Sequence, residues 1–151
     1  FENKIREITR RSKGTSVESI IGALRNFIIG WLHYYGLAEI KSMMREAFAW
    51  IRRKLRAYIW KQWKRVKTRA ENLMKYGCSK DEAWKWANTQ KGIWRIAGSQ
   101  VLDITLTNKV LMNMGLPDIE AAYGKISNSL KTLNRRMPNG TYGGVGGRLL
   151  N

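Results

Sequence analysis

The chain has 151 residues, enough for one ordinary domain or two small ones sharing an interface. It carries 28 Lys and Arg against 11 Asp and Glu, a formal charge of +17, and 44% of its residues are hydrophobic, with seven Trp among them. That composition excludes intrinsic disorder, and a single Cys (Cys78) with a single His (His33) excludes an internal disulfide or a four-ligand zinc site.

In chain order, residues 2 to 12 are charged, with Ile5 and Ile8 on one side, and Gly14 breaks the pattern. Thr15-Ser16-Val17-Glu18 has the form of a capping box, which predicts a helix from about 16 to 35 stopped by Gly36. Ile20, Ile21, Leu24, Phe27, Ile28, Trp31 and Tyr35 recur at three- and four-residue steps and form its expected buried face. If fully buried, Trp31 changed to Ala costs about 3 to 5 kcal/mol. From Glu39 the helical period runs through Met43, Ala47, Phe48, Ile51, Leu55 and Ile59 with no Gly or Pro before Gly77, predicting one long helix or two abutting ones.

A second capping box, Ser79-Lys80-Asp81-Glu82, opens a helix carrying Trp84 and Trp86, with a boundary near 77 to 79. Gly92 and Gly98 interrupt the segment after it, and Gln100 to Thr107 carries the one strand-like alternation. Thr107 to Met114 reads as a short helix ended by Gly115, and Pro117 suits the first turn of another ending near Tyr123. From Asn134 to Arg148, five Gly and Pro138 predict a flexible basic tail. The expected fold is all-α, a three-helix bundle followed by a small helical region and that tail, with six or seven helices in all.

Between Arg45 and Arg69 stand ten basic residues and one acid, Glu46. On a helix, Ile51, Leu55 and Ile59 share one face and Arg52 and Arg56 another, as do Lys61 and Arg65 one turn apart. A charge run is ordinarily a solvated helix face, but such faces mix Glu with Lys, and this one does not. The cations Arg52, Arg53, Arg56, Lys61, Lys64, Arg65, Lys67 and Arg69, extended by Arg6, Arg10 and Arg11, are therefore the candidate nucleic-acid-binding residues. Trp50, Trp60 and Trp63 lie in the same segment and either pack in the core or stack on unpaired bases.

The acids are dispersed, and the adjacent pair Asp81-Glu82 is explained by capping, so neither a two-metal centre nor any other catalytic or metal site is expected in this chain. No stretch approaches the ~20 apolar residues of a membrane span, and the first residues have no signal-peptide pattern, so a cytoplasmic, membrane-free setting is expected. The chain begins without Met and reads as part of a longer protein.

Several runs carry a family resemblance: Lys4-Ile5-Arg6-Glu7-Ile8-Thr9-Arg10-Arg11, then Gly30-Trp31-Leu32-His33-Tyr34-Tyr35, then Trp50-Ile51-Arg52-Arg53-Lys54-Leu55-Arg56. Trp60-Lys61-Gln62-Trp63-Lys64, Lys67-Thr68-Arg69, Ala87-Asn88-Thr89, Lys91-Gly92 and Trp94-Arg95 continue the series. In this order they resemble the maturase-specific domain of group II intron-encoded reverse transcriptases, over roughly residues 1 to 123. The motif Gly30, Trp31, Tyr34 and Tyr35 is its most recognisable element, joining two helices.

The resemblance implies that residues 1–65 are the thumb, or domain X, which binds intron RNA for splicing and grips the RNA/DNA template-primer duplex. Residues 66–124 would be the region that binds target DNA in retrohoming, and 125–151 the basic Gly-rich tail. It places the catalytic Asp pair, and the Mg2+ it needs, in a polymerase palm of the parent chain, beside the fingers, in a bacterial cytoplasmic ribonucleoprotein. Ile29 and Gln90 depart from the family by standing where Arg is common. Two other readings remain open: a free-standing splicing cofactor acting as an RNA chaperone, and a structural domain that docks its Trp-rich surface on another protein.

Overall fold

A computed structural model describes residues 1–10, 14–35 and 41–136. Among them the chain is all-α: α1 (Glu2–Ile8), α2 (Val17–Tyr35), α3 (Lys41–Gln62), α4 (Val66–Lys75), α5 (Lys80–Ala87), α6 (Ile93–Ala97), α7 (Gln100–Thr105), α8 (Asn108–Asn113) and α9 (Ile119–Arg136). These nine helices exceed the six or seven expected, because the region after residue 77 is cut into short pieces. The expected stop at Gly36 and the expected tail from residue 137 onward lie outside the described residues.

Helix α3 is the spine. Ile51, Leu55 and Ile59 are buried at four-residue steps, joined by Phe48, Tyr58 and Trp60, and the helix packs against α2 on one side and α6 on another. In α2 the buried residues are Ile20, Ile21, Leu24, Ile28 and Leu32. The stripe therefore rotates off the predicted one: Leu32 takes the last core position, Trp31 is only half-buried, and Tyr35 is 44% exposed. Trp31 instead rests between Phe1 and Tyr35, at ring separations of 4.7 and 4.9 Å. Its loss should cost less than the ~3 to 5 kcal/mol of a fully buried large aromatic.

Caps explain most of the boundaries. Helix α2 starts one residue later than the predicted box, because the Ser16 hydroxyl, not that of Thr15, accepts from the Ser19 amide at 3.2 Å. The Thr15 carbonyl is occupied elsewhere, accepting from Gln62 Nε2 at 2.9 Å and from the Tyr58 hydroxyl, which ties the α1–α2 loop to the end of α3. Ser79 does cap α5 by position, but its side chain makes no capping bond. The short helix expected from Thr107 to Met114 is α8, and Thr107 caps it, its hydroxyl accepting from the Val110 amide at 3.2 Å. Gly77 (φ 95°) and Gly115 (φ 110°) each close a helix in the left-handed conformation. In both turns the following amide reaches back five residues, Cys78 to Leu73 and Leu116 to Leu111.

The strand-like alternation at Gln100–Thr107 does not form a strand: Gln100–Thr105 is a helix, in keeping with the all-α expectation, and its buried Val101, Leu102 and Thr105 follow helical spacing. Two sequence expectations are corrected. Pro117 lies before the last helix, not in its first turn, since Asp118 Oδ1 caps by accepting from the Ala121 amide at 3.0 Å. That helix, α9, runs on to Arg136 instead of ending near Tyr123, so residues 125–136 of the expected tail are helical. Ile119, Tyr123 and Ser127 are buried at one-turn steps, with Ile126 half-buried beside them, and α9 packs on α2. This burial outweighs the cost of about 1 kcal/mol for Gly124 in mid-helix.

Candidate nucleic-acid interface

The basic run divides into two parts with different environments. In the middle of α3, the cations are engaged inside the fold. Arg56 is only 9% exposed; its Nε donates to the Leu106 carbonyl at 2.9 Å, and its Nη1 pairs with Asp103. Burial pushes the Arg56 pKa down, Asp103 opposes that shift, and neighbouring Arg52 adds to it. A guanidinium nonetheless stays charged at any pH a folded protein meets, so Arg56 is a permanent link between α3 and α7 and not part of an outward face. Arg53 lies over Trp94, its Cζ 4.2 Å from the ring centroid, and donates to the Trp94 carbonyl from Nη2 at 3.0 Å and Nε at 3.3 Å.

Arg52 lines an open cleft of about 560 Å3 between α3 and the α7–α8 segment, whose wall also includes Arg56 and Asp103. Lys109, which sequence reasoning did not single out, lines the same cleft and is exposed. Only the fold brings these two cations together, 57 positions apart in sequence (109 minus 52).

At the α3–α4 corner the cations face solvent. The chain leaves helical geometry at Trp63–Arg65, where Arg65 is extended (φ −96°, ψ 146°), with no Gly or Pro to mark the break. Two causes are visible: Lys61, Lys64 and Arg65 would repel one another along a continuous helix, and Arg69 Nε donates to the freed Trp63 carbonyl at 2.8 Å. Beneath the corner, Trp60 and Trp63 lie 6.0 Å apart, Trp63 stacks on Tyr76 at 6.4 Å, and the Arg69 guanidinium covers Trp60 at 4.8 Å. Trp60 and Trp63 thus serve as packing, and Arg69 is bound into the floor. Above that floor Lys61, Lys64, Arg65 and Lys67 are all exposed. Lys67 has Glu71 at 3.9 Å, while Lys64 and Arg65 make no ion pair with a described residue.

The remaining candidates sit apart. Arg6 is exposed and pairs with Glu2 at 2.8 Å, Arg10 is exposed at the end of α1, and Arg11 lies outside the described residues. In the Gly30–Tyr35 motif, Gly30 is exposed on α2 with open space around it, and Tyr34 is 81% exposed. Cys78 is half-buried with its thiol 4.0 Å from Glu82, and burial and that carboxylate raise its pKa, which makes it a poor nucleophile. Among the described residues no cluster of three His, Cys, Asp or Glu could hold a metal ion, and no helix is long and apolar enough to cross a membrane.

A bundle with a cationic corner and no metal cluster among its described residues admits several partners, and sequence comparison decides between them. The profile of the group II intron maturase-specific domain matches residues 1–77. The chain belongs to this family. No curated protein matches it. The matched region of the maturase spans α1 to α4 and so includes both the α3 spine and the exposed corner. Its role is in the splicing of a group II intron, with intron RNA as partner, and the domain is the non-catalytic, maturase-specific part of such proteins.

Proposed function

We propose that this maturase region holds structured intron RNA by its phosphate backbone through the α3–α4 corner, with Lys61, Lys64, Arg65 and Lys67 as the principal contacts. The observation that carries the proposal is that four exposed cations project from a stacked aromatic floor, Lys67 beside Glu71 and neither Lys64 nor Arg65 in an ion pair with a described residue. Each phosphate that these cations neutralise releases condensed counterions. Arg10 and the Arg52–Lys109 cleft extend the surface, while Arg53, Arg56 and Arg69 act by supporting it.

Phosphate contacts position a nucleic acid without reading its sequence. The same face therefore suits the RNA/DNA template-primer duplex or target DNA during retrohoming, with this region as the thumb of a reverse transcriptase whose fingers and palm it adjoins.

The test is the affinity of the chain for a structured intron RNA at several salt concentrations, alongside a variant with Lys61, Lys64, Arg65 and Lys67 changed to Gln. The slope of log affinity against log salt is expected to fall by roughly three to four in the variant. An unchanged slope would remove the corner from the RNA interface.

A further inference from the structure

Arg6 of α1, Trp50, Lys54 and Arg53 of α3, and Trp94 of α6 form a single alternating row of cations and indole rings. Arg6 Cζ lies 5.6 Å from the Trp50 ring, Lys54 Nζ lies 5.2 Å from Trp50 and 5.1 Å from Trp94, and Arg53 Cζ lies 4.2 Å from Trp94. We propose that the outer face of Trp94 is a stacking site for an unpaired base of single-stranded RNA. The proposal rests on the RNA-binding reading above and adds to it a second surface with a different ligand, single strand rather than backbone of a structured helix. Trp94 lies beyond residues 1–77, the part matched by the family profile.

The contrast with Trp60 separates a platform from simple packing. Trp60 also carries a guanidinium on its ring, but it is buried, so its interaction is internal to the fold. Trp94 keeps 39% of its surface in solvent. Both of its cations rise from α3, the helix on which α6 packs, so they approach the ring from the side of the fold, and part of the residue stays open to solvent. The backbone that carries the ring is held by the two Arg53 bonds to the Trp94 carbonyl. Gly98 makes room for this arrangement, since a Cβ there would lie 2.7 Å from Arg53 Cζ.

An indole backed by cations and partly open to solvent suits a nucleobase, which offers a flat π face. It does not suit a dry protein interface, whose core is depleted of charge.

The experiment measures binding of the whole chain to a short unstructured oligoadenylate and to an RNA duplex of the same length, for wild type, Trp94→Leu and Trp94→Phe. Trp94→Leu is expected to lower affinity for the single strand by about 5- to 100-fold. Duplex affinity and the salt slope should hold, and Trp94→Phe should recover most of the loss. The ratio of the two affinities is the deciding quantity, because a partly unfolded population lowers both together. A ratio that is the same in Trp94→Leu as in wild type would overturn the platform while leaving the corner intact. Failure of the wild type to bind either RNA would overturn the RNA-binding reading and the platform with it.

Discussion

Two stretches of one basic run, Arg52–Arg56 and Lys61–Lys67, are nearly alike in composition and opposite in use. In the first, Arg56 is buried against Asp103 and the Leu106 carbonyl, and Arg53 is pinned to Trp94. In the second, four cations are exposed over a floor of aromatic rings. The difference comes from what lies opposite. The short helices α6 and α7 cover mid-α3 and bring carbonyls, a carboxylate and a ring for the guanidiniums to engage. At the corner the chain turns away and leaves these four cations exposed among the described residues. Counting Lys and Arg overstates the phosphate-binding charge wherever Arg has been used as a structural donor, a role its planar fork suits better than an ammonium does.

The largest expected effect sharpens that contrast directly. Changing Lys61, Lys64, Arg65 and Lys67 to Gln should lower RNA affinity at moderate salt on the order of 10²-fold or more, with little change in melting temperature. Filter binding and a thermal melt read the two quantities. The reverse pattern belongs to Arg56→Met, expected to cost about 2 to 3 kcal/mol of stability by leaving a buried carbonyl unpaired. RNA affinity per folded molecule should be nearly unchanged, and urea denaturation beside the binding assay checks both. If Arg56→Met flattened the salt slope without loss of stability, the division between the two stretches would collapse.

Smaller effects probe the edges of the contrast. Gly98→Ala meets no backbone strain, since Gly98 has φ −107°, but it displaces the Arg53 guanidinium from the Trp94 carbonyl. About 1 kcal/mol of stability should be lost, visible as a shift of the denaturation midpoint. Last, the Cys78 thiol should alkylate slowly at neutral pH and react only as pH passes the ordinary thiol range, because burial and Glu82 hold its proton. Since the folded state binds that proton more tightly than the unfolded chain does, stability falls as pH rises past the unfolded thiol's pKa. Changing Glu82 to Gln should speed alkylation at a given pH, measured by the rate of thiol labelling.

Much of this architecture was legible in local pattern. The 3.6-residue period marked Ile51, Leu55 and Ile59 correctly as core, and Gly77, Thr107 and Gly115 marked helix ends because capping and left-handed turns depend on a few neighbouring residues. Pattern failed where burial reached beyond those neighbours. The continuation of α9 past Tyr123 depends on its contact with α2, and the helix at Gln100–Thr105 is too short for periodicity to tell it from a strand. The break at Trp63–Arg65 has no breaker residue and rests on a carbonyl bond from Arg69.

By itself, then, the sequence determined that the chain is helical, strongly basic and built around α3, and its ordered motifs already resembled the maturase-specific domain whose profile matches residues 1–77. Those properties arise from composition and from interactions within one or two helical turns. Only the tertiary structure decided which cations remain outward. Arg56 meets Asp103 and Leu106 across 47 and 50 positions, and Arg53 meets Trp94 across 41. Whether a charge is spent within the fold or left for a phosphate depends on which distant segment lands beside it, and that is settled only when the helices pack.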